Sequence, residues 1–131
     1  MKKVLLVEDS GVFREVEITL LKKIEKISIV ISVNLKEAIT QLNTNEFDLI
    51  ICDYQLPDGT GLDYLKMVRE NGRKTTKGVE VPFLMVTGNN DMDIVKDCIK
   101  QGVTDYLVKP LQAVLFLQKC CKQLELPMPK L

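Results

Sequence analysis

The sequence predicts an α/β fold, a doubly wound sheet of five parallel strands with helices on both faces, and three observations predict it. Strand-length apolar runs alternate with helical periodicity five times along the 131 residues, and no linker or low-complexity stretch interrupts them. Valine, isoleucine and leucine dominate all but the last run, as in strands covered on both sides. The length suits one domain that can bury a core without disulfides or structural metals.

Strands are expected near residues 3–7, 27–33, 47–53, 81–87 and 105–108. The first helix, about 12–26, repeats Phe13, Val16, Leu20 and Ile24 at steps of three and four, with Lys22, Lys23 and Glu25 facing water. The second begins at Asn34, a cap with Glu37 three residues on, and buries Ala38, Ile39 and Leu42. Gly61 precedes the third, in which Leu62, Leu65 and Val68 share a face until Asn71-Gly72. The fourth, around 92–101, gathers Ile94, Val95, Cys98 and Ile99 and stops at Gly102. Pro110 is a helix-start residue for the fifth, whose apolar arc holds Ala113, Val114, Phe116, Leu117, Cys120, Cys121 and Leu124. Leu115 lands among its polar residues, which for one apolar side chain is ordinarily of no consequence.

Composition excludes several functions. The 18 basic and 18 acidic residues cancel, which argues against a broad electrostatic grip on nucleic acid or an anionic membrane. No apolar run approaches a bilayer span, and the run after the Met-Lys-Lys start is too brief for a signal-peptide core, so a cytoplasmic setting is expected. With no histidine and four cysteines that lack C-x-x-C spacing, the usual zinc ligand sets cannot be assembled within this chain. Cys52 and Cys98 read as small buried hydrophobes, whereas the adjacent Cys120 and Cys121 are open to either reading.

Right-handed crossovers turn every strand's C-terminal end toward one edge of the sheet, where open α/β sheets bind their ligands. At that edge the sequence sets Glu8 and Asp9 after the first strand, Asp53 after the third, Thr87 at the fourth and Lys109 after the fifth. Singly, each has a plain explanation: a helix cap, a good strand residue, a solvated lysine. Jointly they do not. Three acids pressed together repel and call for a cation, and an oxygen-only ligand set points to Mg2+, with Mn2+ as a substitute. A carboxylate nucleophile, a magnesium ion, a hydroxyl and an ammonium are what phosphoryl transfer to an aspartate demands. A glycine-rich phosphate loop is absent after the first strand, so dinucleotide or flavin binding fits poorly.

The stretches VLLVEDS, IICDYQLPDGTGLDYL, PFLMVTGNN and DYLVKPL, in this order and covering nearly the whole chain, resemble the receiver domains of response regulators in two-component signalling. The resemblance implies a (βα)5 flavodoxin-like unit of strand order 2-1-3-4-5 over residues 1–125, with 126–131 a tail or the start of a linker. It implies Asp53 as phospho-acceptor, Glu8 and Asp9 as the acidic pair serving Mg2+, and Asp53 with the main-chain carbonyl of Gln55 as further metal ligands. Lys109 would contact the phosphoryl group, Thr87 would be the switch hydroxyl, Tyr106 the aromatic that swings inward, and Pro110 a cis-linked proline. Glu8 stands where aspartate is commoner, a swap the family tolerates, and its longer arm reaches an ion through water. Gly88 leaves the phosphoryl group accessible, and Gln55 and Asn89 occupy places that tune hydrolysis of the acyl phosphate.

The expected partners are a sensor histidine kinase or histidine phosphotransfer protein as donor, and an output protein bound at the face of the fourth helix, fifth strand and fifth helix, with Leu115 and the Cys120-Cys121 region as contacts. Such a domain is not a conventional enzyme, although it catalyses its own phosphorylation and dephosphorylation. Two alternatives stay open: a degenerate receiver used as a docking module, and an aspartyl-nucleophile phosphatase. The second would want an acid two residues after the nucleophile, where Gln55 stands. The segment 72–80, with Arg73, Lys74 and Lys77, reads as a mobile solvated loop.

Overall fold

The computed structural model describes residues 1–75, 77–88 and 91–131. Five strands form one parallel sheet: β1 (Lys2–Val7), β2 (Ile27–Ser32), β3 (Leu49–Asp53), β6 (Phe83–Thr87) and β7 (Asp105–Val108), ordered β2-β1-β3-β6-β7. This is the expected 2-1-3-4-5 order of the flavodoxin-like receiver fold. The two extra numbers belong to a small antiparallel hairpin, β4 (Gln55–Leu56) and β5 (Gly59–Thr60), which the sequence reading did not anticipate.

The helices are α1 (Gly11–Leu21), α2 (Leu35–Thr44), α3 (Gly61–Glu70), α4 (Met92–Lys100) and α5 (Ala113–Leu124). They split the core in two. Leu5, Val7, Ile50, Cys52, Phe83 and Met85 face one side of the sheet, and Val4, Leu6, Leu49, Ile51, Leu84 and Val86 the other. The alternation is the period of two in a strand buried on both faces, which is why unbroken apolar runs marked these strands.

Several helix expectations need correction. α1 ends at Leu21 rather than near residue 26, because the chain turns there through Lys26 at φ 65° to enter β2. Its inward face is also rotated: Val16 is 46% exposed, while Glu17 is 1% exposed and Leu21 fully buried. Ile99 of α4 and Val114 of α5, both assigned to apolar faces, are exposed. Pro110 does not start α5; its peptide bond to Lys109 is cis, and the helix begins three residues later with Gln112 as cap.

The third helix shows why a glycine was needed. Thr60 caps it in a capping box with Asp63, so Gly61 is its first residue rather than the one before it. A Cβ on Gly61 would lie 2.5 Å from the Asp53 carbonyl oxygen and 2.6 Å from Met85 Sδ. Only glycine lets α3 start against the end of β3. Asp58, in the hairpin turn, accepts from the amides of Leu35 and Lys36 at 2.7 and 3.0 Å and so ties this loop to the N-terminus of α2.

The described residues of the segment after α3, expected as a mobile solvated loop, make hydrogen bonds of their own. The backbones of Lys74 and Glu80 form an isolated antiparallel bridge, the Thr75 amide donates to the Val79 carbonyl at 2.8 Å, and Lys77 reaches Glu125 at 2.7 Å.

Candidate functional site

β1, β3, β6 and β7 end side by side, and their ends carry the site. The register pairs Val7 with Cys52, Asp53 with Val86, and Thr87 with Val108, so Glu8, Asp53, Thr87 and Lys109 meet at one edge. Carboxylate oxygens of Glu8, Asp9 and Asp53 lie within 4.8 Å of one another. Glu8 and Asp53 are buried and Asp9 is exposed at the mouth.

Lys109 closes the cluster. Its Nζ donates to Glu8 Oε1 at 2.8 Å and to Asp53 Oδ2 at 3.2 Å, and sits 3.9 Å from the centre of the Phe13 ring. Burial works against the ammonium's charge, but its hydrogen bond to Glu8 and the attraction of Asp53 and Glu8 outweigh it and hold the pKa above its ordinary value. Burial pushes the Glu8 carboxyl up, against the pull of Lys109, and the Asp53 charge adds to the push.

Backbone contacts fix the first loop. Ser10 caps α1 by accepting from the Phe13 amide at 3.4 Å and donates its own amide to Glu8 Oε2 at 3.3 Å. Arg14 Nη1 donates to the Glu8 carbonyl at 3.0 Å, bracing the turn that carries both acids.

A cleft of about 490 Å³ opens above Asp53, lined also by Gln55, Thr87, Gly88 and Lys109. The Gln55 amide approaches Asp53 Oδ1 at 3.4 Å, and among the described residues nothing lies within 4 Å of where a Gly88 side chain would start. Tyr106 stands apart from this cleft, half-buried on β7. Its carbonyl accepts from Lys119, whose Nζ lies 6.0 Å from the ring centre and 2.8 Å from Asp105. Asn89 lies outside the described residues.

The donor set fits a small hard cation: three carboxylates offer oxygens within 4.8 Å of one another, and every donor is oxygen. No helix is long and apolar enough to cross a membrane among the described residues.

Sequence reasoning missed two neighbours of the site, both on α1. Phe13 has the helical spacing of a core residue, yet its ring faces Lys109. Glu17, one turn further on, is buried with Oε1 lacking a hydrogen-bond partner. Burial, then the negative charge of Glu8, push its pKa up to about 8. The available signal was a carboxylate four residues after Phe13 and four before Leu21, a core position by helical spacing.

Comparison with known proteins agrees with this geometry. The chain is 32% identical over 109 residues to a probable C4-dicarboxylate response regulator, DctR, of Halalkalibacterium halodurans, covering 82% of this chain and 45% of that protein. It thus spans less than half of that relative. With the chemotaxis protein CheY of Pseudomonas aeruginosa it shares 29% identity over 94% of this chain and 96% of that one. The crystal structure of the receiver domain of sensor histidine kinase PA1611 from Pseudomonas aeruginosa, which holds a magnesium ion in its active site cleft, superposes with a TM-score of 0.79 at 22% identity, covering 95% and 98% of the two chains. The family described as response regulator receiver domain matches residues 4–121, and with the five-stranded fold and the acidic cluster in place, the chain belongs to that family.

Proposed function

We propose that this domain is a phosphorylation-dependent signalling receiver, in which Asp53 accepts a phosphoryl group from the phosphohistidine of a sensor histidine kinase or histidine phosphotransfer protein. One observation carries the reading: Asp53 faces an open cleft with Lys109 3.2 Å away and the oxygens of Glu8 and Asp9 beside it. In this reading Glu8, Asp9, Asp53 and the Gln55 carbonyl hold Mg2+, which supplies positive charge to neutralise phosphoryl oxygens.

An Asp53 carboxylate oxygen attacks phosphorus in line with the scissile bond. The new P–O bond forms as the P–N bond to the donor imidazole breaks, and the imidazole nitrogen takes up a proton. Lys109, already between Glu8 and Asp53, moves with the charge onto the phosphoryl oxygens. Hydrolysis reverses the gain: water attacks phosphorus, the P–O bond to Asp53 breaks, and inorganic phosphate leaves. Gly88 keeps the entry path open, while Gln55 and Asn89 tune this second step.

The signal leaves when the added charge draws the Thr87 hydroxyl toward the phosphoryl group and Tyr106 turns inward. The receiving surface is α4, β7 and α5, where Ile99, Val108 and Leu115 are exposed. An output protein binds there; Cys120 and Cys121 are buried, and are less suited to that contact than Leu115. Residues 1–125 form the receiver, and the cytoplasm is its setting.

Intact mass after incubation with acetyl phosphate tests the chemistry. With Mg2+ the parent gains one phosphoryl group, about 80 Da, and gains none with a chelator or as Asp53→Asn. Equal gain by the Asp53→Asn protein would sink the assignment.

A further inference from the structure

We propose that Phe13 is a positioning residue for phosphoryl transfer: its ring is the station that holds the Lys109 ammonium at the site when Glu8 is engaged elsewhere. The inference rests on the receiver reading and adds a residue to it. Among the described residues Lys109 Nζ has close to it Glu8 Oε1 at 2.8 Å, Asp53 Oδ2 at 3.2 Å and the Phe13 ring centre at 3.9 Å. Two of them are carboxylates of the acidic cluster that fits a divalent cation. When such an ion draws those carboxylates in, the lysine loses part of its anchorage and its flexible four-carbon stem lets the ammonium wander. The ring face remains. It carries the negative part of the aromatic quadrupole, attracts a cation without competing for the metal, and cannot neutralise it by taking its proton.

The fold prepares this contact. Phe13 sits in the first turn of α1, and its amide is fixed by the Ser10 cap at 3.4 Å. Arg14, the next residue, ties the same turn to the Glu8 carbonyl at 3.0 Å. The ring is therefore placed by the loop that carries the acids, so acids and ring keep one spacing relative to Lys109. The Lys109 side chain is 12% exposed, which shields the contact from water and strengthens it. A leucine would fill similar space and offer no quadrupole.

The test separates ring electronics from ring volume. Phenylalanine carrying one, two or three fluorines is installed at position 13, each fluorine weakening the quadrupole at nearly constant shape. Phosphorylation by acetyl phosphate with Mg2+ is followed beside Mg2+ affinity measured by titration without donor. The expected result is a stepwise fall in rate along the series, reaching about three- to ten-fold for the most fluorinated ring. Phe13→Leu should fall as far, Phe13→Tyr should recover the parent rate, and Mg2+ affinity should stay within about two-fold throughout. A flat series in a protein that is phosphorylated overturns the proposal.

A second readout needs no donor. In the unmodified parent the Lys109 Cε protons should be shifted upfield by the ring, and Phe13→Leu should return them to the shift of a solvated lysine. Ordinary shifts in the parent would also overturn the proposal. If the parent shows the ring shift yet takes no phosphoryl group, the receiver chemistry fails and the transfer role of Phe13 falls with it, while the contact itself stands.

Discussion

β3 begins and ends beside a buried aspartate, and the two behave as opposites. Asp48, just before the strand, is 8% exposed; Asp53, its last residue, is 7% exposed. Asp48 is absorbed into the backbone: its Oδ2 accepts from the Lys3 amide at 2.9 Å, and its own amide donates to the Lys3 carbonyl at 2.8 Å. It seals β3 against β1. Asp53 has a longer contact with the Gln55 amide at 3.4 Å, a lysine at 3.2 Å, and two other carboxylates nearby. Equal burial therefore carries opposite meanings. A carboxylate bonded to backbone donors is absorbed into the fold, whereas one kept among like charges beside a lysine marks a candidate site.

The largest effect expected at the Asp53 end comes from Glu17. Its folded pKa, pushed up to about 8, exceeds the ordinary carboxyl value, so the folded state keeps a proton that the unfolded chain has released. Metal-free stability should then fall as pH rises from about 4.5 toward 8 and level off above, with Glu8 acting in the same direction. Glu17→Gln removes the Glu17 share of the effect, and urea unfolding should find it more stable than the parent at pH 8 by on the order of 3 kcal/mol, with little difference at pH 4.5. Parallel pH profiles for the two proteins would show that Glu17 is not buried as described.

Gly61→Ala sharpens the comparison from the backbone side. The added Cβ meets the Asp53 carbonyl at 2.5 Å, so α3 or the end of β3 must move. Chemical denaturation should register a loss of about 1–3 kcal/mol, with amide shifts concentrated at Asp53 and Met85 rather than at Asp48. Unchanged stability would mean that the helix start has slack that the structure does not display.

The smallest effect belongs to the structural end. Asp48→Ala leaves the Lys3 amide without its acceptor and should cost about 1–2 kcal/mol, while the extent of phosphorylation by acetyl phosphate stays at the parent level. A phosphorylation defect with normal stability would blur the distinction between the two aspartates.

How much of this was legible in the sequence follows from which forces are local. The five strands and their order along one edge could be read because burial on both faces writes continuous apolar runs, and because strand ends in a parallel sheet converge. Glu8, Asp9, Asp53, Thr87 and Lys109 were legible for the same reason. The cap at Asn34 was legible too, and its side chain does accept from the Glu37 amide at 2.8 Å. What escaped depends on contacts between distant residues. Glu17 interrupts an apolar pattern, and a search for apolar periodicity rotates α1 to avoid it. Asp58 looks like a turn residue until the fold brings it to α2, 23 positions from Leu35. The Phe13 ring meets Lys109 only once β7 is in place. Tyr64, buried with its hydroxyl donating to the Ala38 carbonyl at 2.8 Å, joins α3 to α2 in a way no local pattern signals.

The most direct test of the difference between the two aspartates is to map the acyl phosphate. The protein is phosphorylated with acetyl phosphate and Mg2+, reduced with borohydride so that an aspartyl phosphate becomes homoserine, digested, and sequenced by mass spectrometry. The account predicts homoserine at position 53 and aspartate retained at positions 9 and 48. Homoserine at either of those positions, or a phosphorylated protein with position 53 unmodified, would contradict it.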